Sequence, residues 1–237
     1  MLLILPGILN AHELAQFRTH LDSASWQDGR VTAGSLSAAV KQNEQLPEEQ
    51  EPAISLGNHV LRTLGEHSRF LSAALPESIY PPKFNRYSGQ GRGGENRNGG
   101  DYYGAHVDAA VMTIKETRRS LRSDLSATLF LSEPQEYDGG ELCIATEHGM
   151  QAIKLPAGDM VLYPSGSVHL VKPVTRGTRL ASFFWIQSMV QDKGERELLY
   201  ELDGSIQALA AGRAADDPEL IRLTGIYHNL LRRWAQV

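Results

Sequence analysis

Apolar residues recur along this chain with two different periods, and the changes of period mark its organisation. Met1 to Leu5 is a short apolar run that predicts a first strand. Asn10 then offers an N-cap for a helix with Leu14, Phe17 and Leu21 at helical spacing. Trp26 to Ala39 has no clean period, with Gly29 and Gly34 as turn signals, and the polar, acidic stretch Gln42 to Pro52 predicts a surface loop. A second helix is expected after Pro52, with Ile54, Leu56, Val60, Leu61 and Leu64 on its apolar side. His59 and His67 fall in this region, outside any ligand pair, and are expected to be ordinary helix histidines.

From Ile79 the pattern becomes short runs separated by turn residues, the mark of an antiparallel sandwich or barrel. Strands are expected near Pro82 to Tyr87, Tyr102 to Asp108, Leu125 to Leu131 and Glu141 to Thr146, then Gln151 to Leu155, Met160 to Tyr163, His169 to Val174 and Thr178 to Gln187. Glycine-bearing turns at Asp138-Gly-Gly, Glu147-His-Gly, Pro156-Ala-Gly-Asp and Thr175-Arg-Gly punctuate them. The expected fold is mainly β with flanking helices, a double-stranded β-helix or jelly roll. Helical spacing returns after Ser188, in Leu198, Leu199, Leu202, Ile206 and Leu209, and Asp217-Pro218-Glu219 opens a last helix toward Trp234. The expected units are 1–78, an N-terminal strand and supporting helices; 79–188, the jelly-roll core; and 189–237, a small C-terminal helical region. The apolar stripe of that last region is expected to pack on the barrel or on a second copy, so a homodimer is one expectation.

Composition changes this picture little. Among 237 residues, 41% hydrophobic and 22% charged is ordinary for a globular chain, and a net charge of -5 argues against a nucleic-acid groove. The lone Cys143 excludes an internal disulfide and fits a reducing cytoplasm. The apolar N-terminus has no basic segment and is broken by Pro6-Gly7, and no run reaches the length of a membrane span. The expectation is a cytoplasmic protein with no membrane partner.

The chemistry concentrates in two stretches. Tyr102-Tyr-Gly-Ala-His106-Val-Asp108 contains a His-x-Asp pair that strand alternation points to one face. Tyr163-Pro-Ser-Gly-Ser-Val-His169 supplies a second imidazole, and two imidazoles with one carboxylate form the facial ligand set that leaves positions on Fe(II) open. Downstream, period two places Arg179, Ala181, Phe183 and Trp185 on one face. A guanidinium among apolar neighbours is costly without a carboxylate, and its two-pronged fork suits a dicarboxylate cosubstrate. The Gly-rich link Ser88 to Asp101 cannot bury a core, and is expected to be a tolerated insertion at a loop tip.

Beyond these pairs, Phe84-Asn-Arg-Tyr87, Tyr103-Gly-Ala-His-Val-Asp108, Ser123-Asp-Leu-Ser-Ala-Thr-Leu-Phe-Leu-Ser132, Tyr137-Asp-Gly-Gly-Glu-Leu142, Leu155-Pro-Ala-Gly-Asp159, Phe183-Phe-Trp-Ile-Gln-Ser188 and Leu223 to Trp234 together resemble the bacterial PKHD-type hydroxylases, the PiuC/YbiX group. These are prolyl-4-hydroxylase-like members of the Fe(II)/2-oxoglutarate dioxygenases, and the resemblance runs nearly end to end. It implies Fe(II) on His106, Asp108 and His169, 2-oxoglutarate with its 5-carboxylate on Arg179, and O2 and L-ascorbate as further small-molecule partners. It also implies Tyr87 as a hydrogen-bonding partner of the cosubstrate, with Tyr103 lining the same pocket. The reaction implied is hydroxylation of an unactivated C–H bond, of a small molecule or a protein, with an association to bacterial iron uptake. Trp185 is expected as a pocket wall, Lys154 and Lys172 as solvated, and His148 and His228 as no ligands of the metal. Two other readings stand beside this one. One is a jelly roll that senses or binds iron or 2-oxoglutarate without turnover; the other is a cupin-like three-histidine site, for which His148 is the nearby third histidine.

Overall fold

Local signals set the helices. In the computed structural model, which describes residues 1–32, 38–90, 99–115 and 117–236, Asn10 caps helix α1 (Ala11–Ser23). Its side-chain oxygen accepts from the N–H groups of His12 and Glu13, and the Glu13 carboxylate accepts in return from the Asn10 N–H. Helix α2 (Ala53–Glu66) buries Leu56, Val60 and Leu64. His67 then caps a short α3 (Ser68–Ala74), its Nδ1 accepting from the Phe70 N–H, while His59 meets Glu13 at 2.9 Å. Both histidines are structural, as expected.

Two sheets face each other as a jelly roll. The major sheet runs β1 (Leu3–Leu5), β14 (Met160–Pro164), β10 (Leu125–Phe130), β16 (Val174–Ser188), β6 (Lys83–Ser88), β4 (Glu44–Gln45) and β2 (Gln27–Asp28). Strands β5 (Pro76–Ile79) and β11 (Tyr137–Gly139) also pair with β16. The minor sheet runs β13 (Gly149–Ile153), β12 (Leu142–Thr146), β15 (His169–Val171), β7 (Tyr102–His106) and β3 (Lys41–Gln42). A hairpin of β8 (Val111–Ile114) and β9 (Arg119–Arg122), not anticipated from the sequence, stands beside them. Alternation along β16 divides the molecule: Leu180, Phe184 and Ile186 join the core between the major sheet and the helices, whereas Arg179, Phe183 and Trp185 line a cavity between the sheets.

Three expectations are corrected here. Thr175-Arg-Gly does not separate two strands: β16 runs unbroken from Val174 to Ser188, and the chain turns instead at Lys172-Pro173, where the ring removes a ladder donor. Gly177 holds φ +70 inside β16, with a Cβ position only 2.0 Å from the Glu136 carbonyl oxygen. Gly177→Ala is therefore expected to destabilise the fold by about 1–3 kcal/mol, read as a lower urea midpoint at unchanged slope. Second, Gln42 to Pro52 is not wholly a surface loop. Its first part carries β4, and Asn43, Gln45 and Leu46 are 3%, 1% and 2% exposed; only beyond Pro47 does the chain reach the surface. Third, Tyr102 to Asp108 is strand only to His106.

Residues 91–98 of the expected insertion, and Gly34, lie outside the described residues. The base of that insertion is clamped by Asp101, whose buried carboxylate accepts from the Ser88 N–H at 2.9 Å. At the C-terminus, α4 (Lys193–Ala210) and α5 (Pro218–Trp234) are capped by Asp192 and Asp217. They pack through Leu199, Tyr227, Leu230, Leu231 and Trp234 on Leu75 and Val190, and Arg69 and Ser72 of α3 bond to Tyr200 and Asp203. Leu198, Ile221 and Ile226 stay exposed. Among the described residues no helix is long and apolar enough to cross a membrane.

Candidate active site

Strand pairing assembles the trio. His169, first residue of β15, lies directly across from His106, last residue of β7, and their ring centroids are 4.2 Å apart. Asp108 follows two residues past His106, its Oδ2 3.8 Å from His169 Nε2. One donor atom from each of the three lies within 4.8 Å of the others. His106 Nδ1 is 2.8 Å from the Gly104 carbonyl oxygen, and His169 Nδ1 is 3.0 Å from that of Ser167. A carbonyl can only accept, so each Nδ1 carries the proton and each Nε2 presents its lone pair to the site. Burial, and then the neighbouring His169, push the His106 pKa down to about 4, so this imidazole is neutral near pH 7 and needs no proton removed to act as a ligand.

The carboxylate is oriented too. Ser126 Oγ donates to Asp108 Oδ2 at 2.6 Å and lies 2.8 Å from Ser165 Oγ. Ser126 has one proton, so Ser165 donates into the Ser126 oxygen, and the pair fixes which carboxylate oxygen stays open. Neither serine was singled out from sequence, because their role arises from the pairing of β10 with β14. Ser126→Ala is expected to weaken divalent-metal affinity roughly 10- to 100-fold with the fold intact, measured by equilibrium dialysis with Mn(II).

Arg179 faces the same cavity, which measures about 520 Å³. It is 1% exposed, its Nε and Nη1 have no hydrogen-bond partner among the described residues, and its guanidinium lies 5.4 Å from the Tyr87 ring centre and 5.1 Å from that of Phe130. A buried cation in this state requires an anion. The buried Tyr137 hydroxyl faces Arg179; burial pushes its phenol up, and the neighbouring guanidinium offsets part of this. Gly140, at φ +66, makes room between them: a Cβ there would lie 3.0 Å from Tyr137 Cε2 and 3.2 Å from Arg179 Cδ. Lys154 is not solvated as expected. Its ammonium donates to the Tyr137 carbonyl at 2.7 Å and lies 4.0 Å over the Tyr137 ring, because the aromatic face and carbonyl together replace water. Lys172, half exposed, is solvated as expected.

Tyr87 sits opposite Arg179 on β6, and burial pushes its phenol up to about 12 while Arg179 opposes the shift. Tyr103 stacks on the His106 ring at 3.7 Å. Both line the cavity, as does Trp185, packed edge-on against Tyr80 and Phe183. His148 is exposed in a turn and stands outside the metal-ligand cluster found among the described residues. The cavity is also lined by Lys41, Asn43, Gln45 and Asn85, none of them singled out from sequence. Asn43 and Gln45 fall in the polar stretch Gln42 to Pro52 expected as a surface loop; the signal available was their alternation with Lys41, which forms the polar wall of a cavity.

Comparison with known proteins bears on what this arrangement is. Residues 82–187 match the 2OG-Fe(II) oxygenase superfamily, and residues 193–236 match the PKHD-type hydroxylase C-terminal domain. A PKHD-type hydroxylase of Teredinibacter turnerae is 58% identical over 236 residues, with 100% of each chain covered, and one of Acidovorax ebreus is 55% identical with the same coverage. Among solved structures, a prolyl hydroxylase from Trichoplax adhaerens, in complex with a hypoxia inducible factor peptide fragment, superposes with TM-score 0.57 at 16% identity, covering 83% of this chain and 86% of its own. A Pseudomonas putida prolyl-4-hydroxylase gives 0.50 at 21% identity, with 79% and 92% covered. The solved structures share the jelly roll; the full-length identities carry the assignment further, and by them this chain belongs to the PKHD-type hydroxylases, 2-oxoglutarate-dependent dioxygenases of the 2OG-Fe(II) oxygenase superfamily.

Proposed function

We propose that His106, Asp108 and His169 hold Fe(II), that Arg179 binds the distal carboxylate of 2-oxoglutarate, and that the enzyme hydroxylates an unactivated C–H bond of a substrate held in the same cavity. The observation that carries this reading is a pair of complementary needs in one cavity. A His₂Asp cluster has both Nδ1 atoms engaged by backbone carbonyls, and a buried arginine has two nitrogens without a partner. When bound, Fe(II) with 2-oxoglutarate and O2 supplies the oxidation, one oxygen atom going to the substrate carbon and the other to succinate, with release of carbon dioxide.

The chain's own residues do the positioning. Arg179 fixes the cosubstrate by charge, with the neutral Tyr87 phenol beside it as a hydrogen-bond donor. Ser126 and Ser165 hold the Asp108 carboxylate, and Tyr103 stacked on His106 keeps that ring from rotating. Phe183 and Trp185 wall the cavity with apolar surface that limits water around the reacting carbon. Ascorbate restores the ferrous state between turnovers, and the protein acts in the cytoplasm in a process connected to iron uptake. Residues 79–188 carry the chemistry; the 1–78 and 189–237 units support it. Exposed Leu198, Ile221 and Ile226 support a homodimer through the C-terminal helices, which a monomer mass in light scattering would refute.

Anaerobic titration with Fe(II) and 2-oxoglutarate tests the site. The expected result is a weak visible charge-transfer band of the chelate, followed on admitting O2 by slow succinate formation without added substrate. A folded, iron-loaded protein with no band and no succinate would refute the reading, and a band without succinate under any substrate would reduce the protein to a binder.

A further inference from the structure

Asp108 stands outside regular structure. Strand β7 ends at His106, so the carboxylate and the two alanines after it are held by other parts of the chain. Residues 123–126 and Ser165 do this. Ser126 Oγ donates to the Asp108 carboxylate, and the Asp108 N–H donates to the Ser165 carbonyl. Ser123 donates through its hydroxyl to the Ala109 carbonyl and through its N–H to that of Ala110 at 3.0 Å. Ser165 is tied to the same segment, its N–H donating to the Asp124 carbonyl at 3.2 Å. Where residues 123–126 sit therefore decides where the Asp108 oxygens point.

The side chain of Asp124 fixes that segment from its other side. It is 7% exposed; its Oδ1 accepts from Arg122 Nε at 2.7 Å, and its Oδ2 from Arg122 Nη2 at 3.0 Å and from the Ser188 N–H at 2.8 Å. Arg122 Nη2 also donates to the Ser188 carbonyl, and the Arg122 N–H to the Gln187 side chain at 2.9 Å. One carboxylate thus joins the base of the β8–β9 hairpin to the end of β16, where the jelly roll passes into the C-terminal helices. Those helices grip the passage from both of their ends. Arg196 of α4, 4% exposed, donates through Nη1 to the Val190 and Gln191 carbonyls at 2.6 and 2.7 Å, and beyond α5 the Gln236 N–H donates to the Met189 carbonyl at 2.7 Å. Burial pushes the Arg196 guanidinium down, and Asp124 is the largest of the charges that oppose it. Apolar packing would hold such a seam as firmly. A two-pronged carboxylate–guanidinium pair adds fixed direction, which packing alone does not.

We propose that Asp124 is a positioning residue for the metal site: its side chain registers residues 122–126 against the C-terminal helices, and Ser126 and Ser165 pass that register to the Asp108 carboxylate. The C-terminal helical region then contributes to metal affinity without supplying a ligand. This rests on the reading of Asp108 as a metal ligand given above and adds to it the route by which the carboxylate is aimed.

The test uses the full chain and Mn(II), with affinity measured by equilibrium dialysis well below the melting temperature. Asp124→Asn keeps the size of the side chain and loses the charge, and is expected to bind Mn(II) about tenfold more weakly than the parent, the low end for a group that orients a ligand. In a Ser126→Ala background the same substitution is expected to cost only about threefold or less, because the route it acts through is already cut. Ser72→Ala, which removes the bond from Ser72 to Asp203 and loosens the same helices elsewhere, is expected to melt lower and bind Mn(II) like the parent. Should Asp124→Asn fail to fold, Arg122→Gln carries the same cycle from the other partner of the pair. Parent-like affinity in a folded Asp124→Asn that merely melts lower, an equal loss with and without Ser126, or an equal loss in Ser72→Ala each overturns the inference. Asp108→Ala separates the two levels: if it too binds Mn(II) like the parent, the metal-ligand reading falls together with this inference, whereas a loss there with none in Asp124→Asn removes this inference alone.

Discussion

Arg179→Met is expected to shift stability and ligand affinity in opposite directions. Free of metal and 2-oxoglutarate, the variant melts above the parent, since it removes a guanidinium that is 1% exposed with two unpartnered nitrogens. Leaving such groups buried costs about 1–3 kcal/mol, and a chain of this size gains about 2–4 °C per kcal/mol recovered. In the presence of Fe(II) the same variant binds 2-oxoglutarate more weakly by about 2–5 kcal/mol, at least roughly 30-fold. Saturating cosubstrate therefore reverses the order of melting temperatures, because it stabilises the parent through binding and the variant hardly at all. Differential scanning calorimetry under nitrogen reads both halves. A variant less stable than the parent in both conditions would mean that Arg179 is a packing residue, and the cosubstrate role would fall.

His169→Ala gives the largest effect on the metal. It removes one of three donors and leaves an open face beside Asp108, so Fe(II) affinity is expected to fall by more than the roughly 100-fold upper bound for losing a supporting hydrogen bond. Succinate formation should disappear with it. Fold stability should change little by comparison, since the ring's aromatic contacts among the described residues are with His106 and Tyr163 at the cavity wall. Metal content after anaerobic dialysis, compared across the parent, Ser126→Ala and His169→Ala, should fall in that order. Parent-like metal content in His169→Ala would remove His169 from the ligand set and reopen the identity of the site.

These two effects also separate the metal site from the cosubstrate site. Arg179→Met should keep metal and lose cosubstrate, whereas His169→Ala should lose metal and, with it, the cosubstrate that chelates the metal. A protein that merely stored iron would respond to the second substitution and ignore the first. The buried arginine thus distinguishes a protein that takes 2-oxoglutarate from one that binds metal alone, since a metal alone gives no reason to bury a second positive charge nearby.

Much of this molecule follows from local chemistry along the chain. The Asn10 capping box, the apolar faces of α1 and α2, and the Asp217-Pro218 start of α5 depend on residues within a turn of one another, so they were legible as written. Alternation alone put Arg179 on the face of Phe183 and Trp185, because a strand's period needs no partner to define it. What only the tertiary structure decided depends on what lies opposite. The polar alternation at Lys41, Asn43 and Gln45 has the pattern of a solvated strand until two sheets close over it and make it a cavity wall. Gly177 signals a turn by itself, yet the pairing of β11 with β16 turns the same positive φ into an irregularity inside a continuous strand. The serine pair that holds Asp108 and the carbonyls that fix both imidazole tautomers belong to this class as well. The residue types that could bind a metal were present in sequence, but their distances, protonation and unmet partners arise only when strands distant in the chain are brought into register.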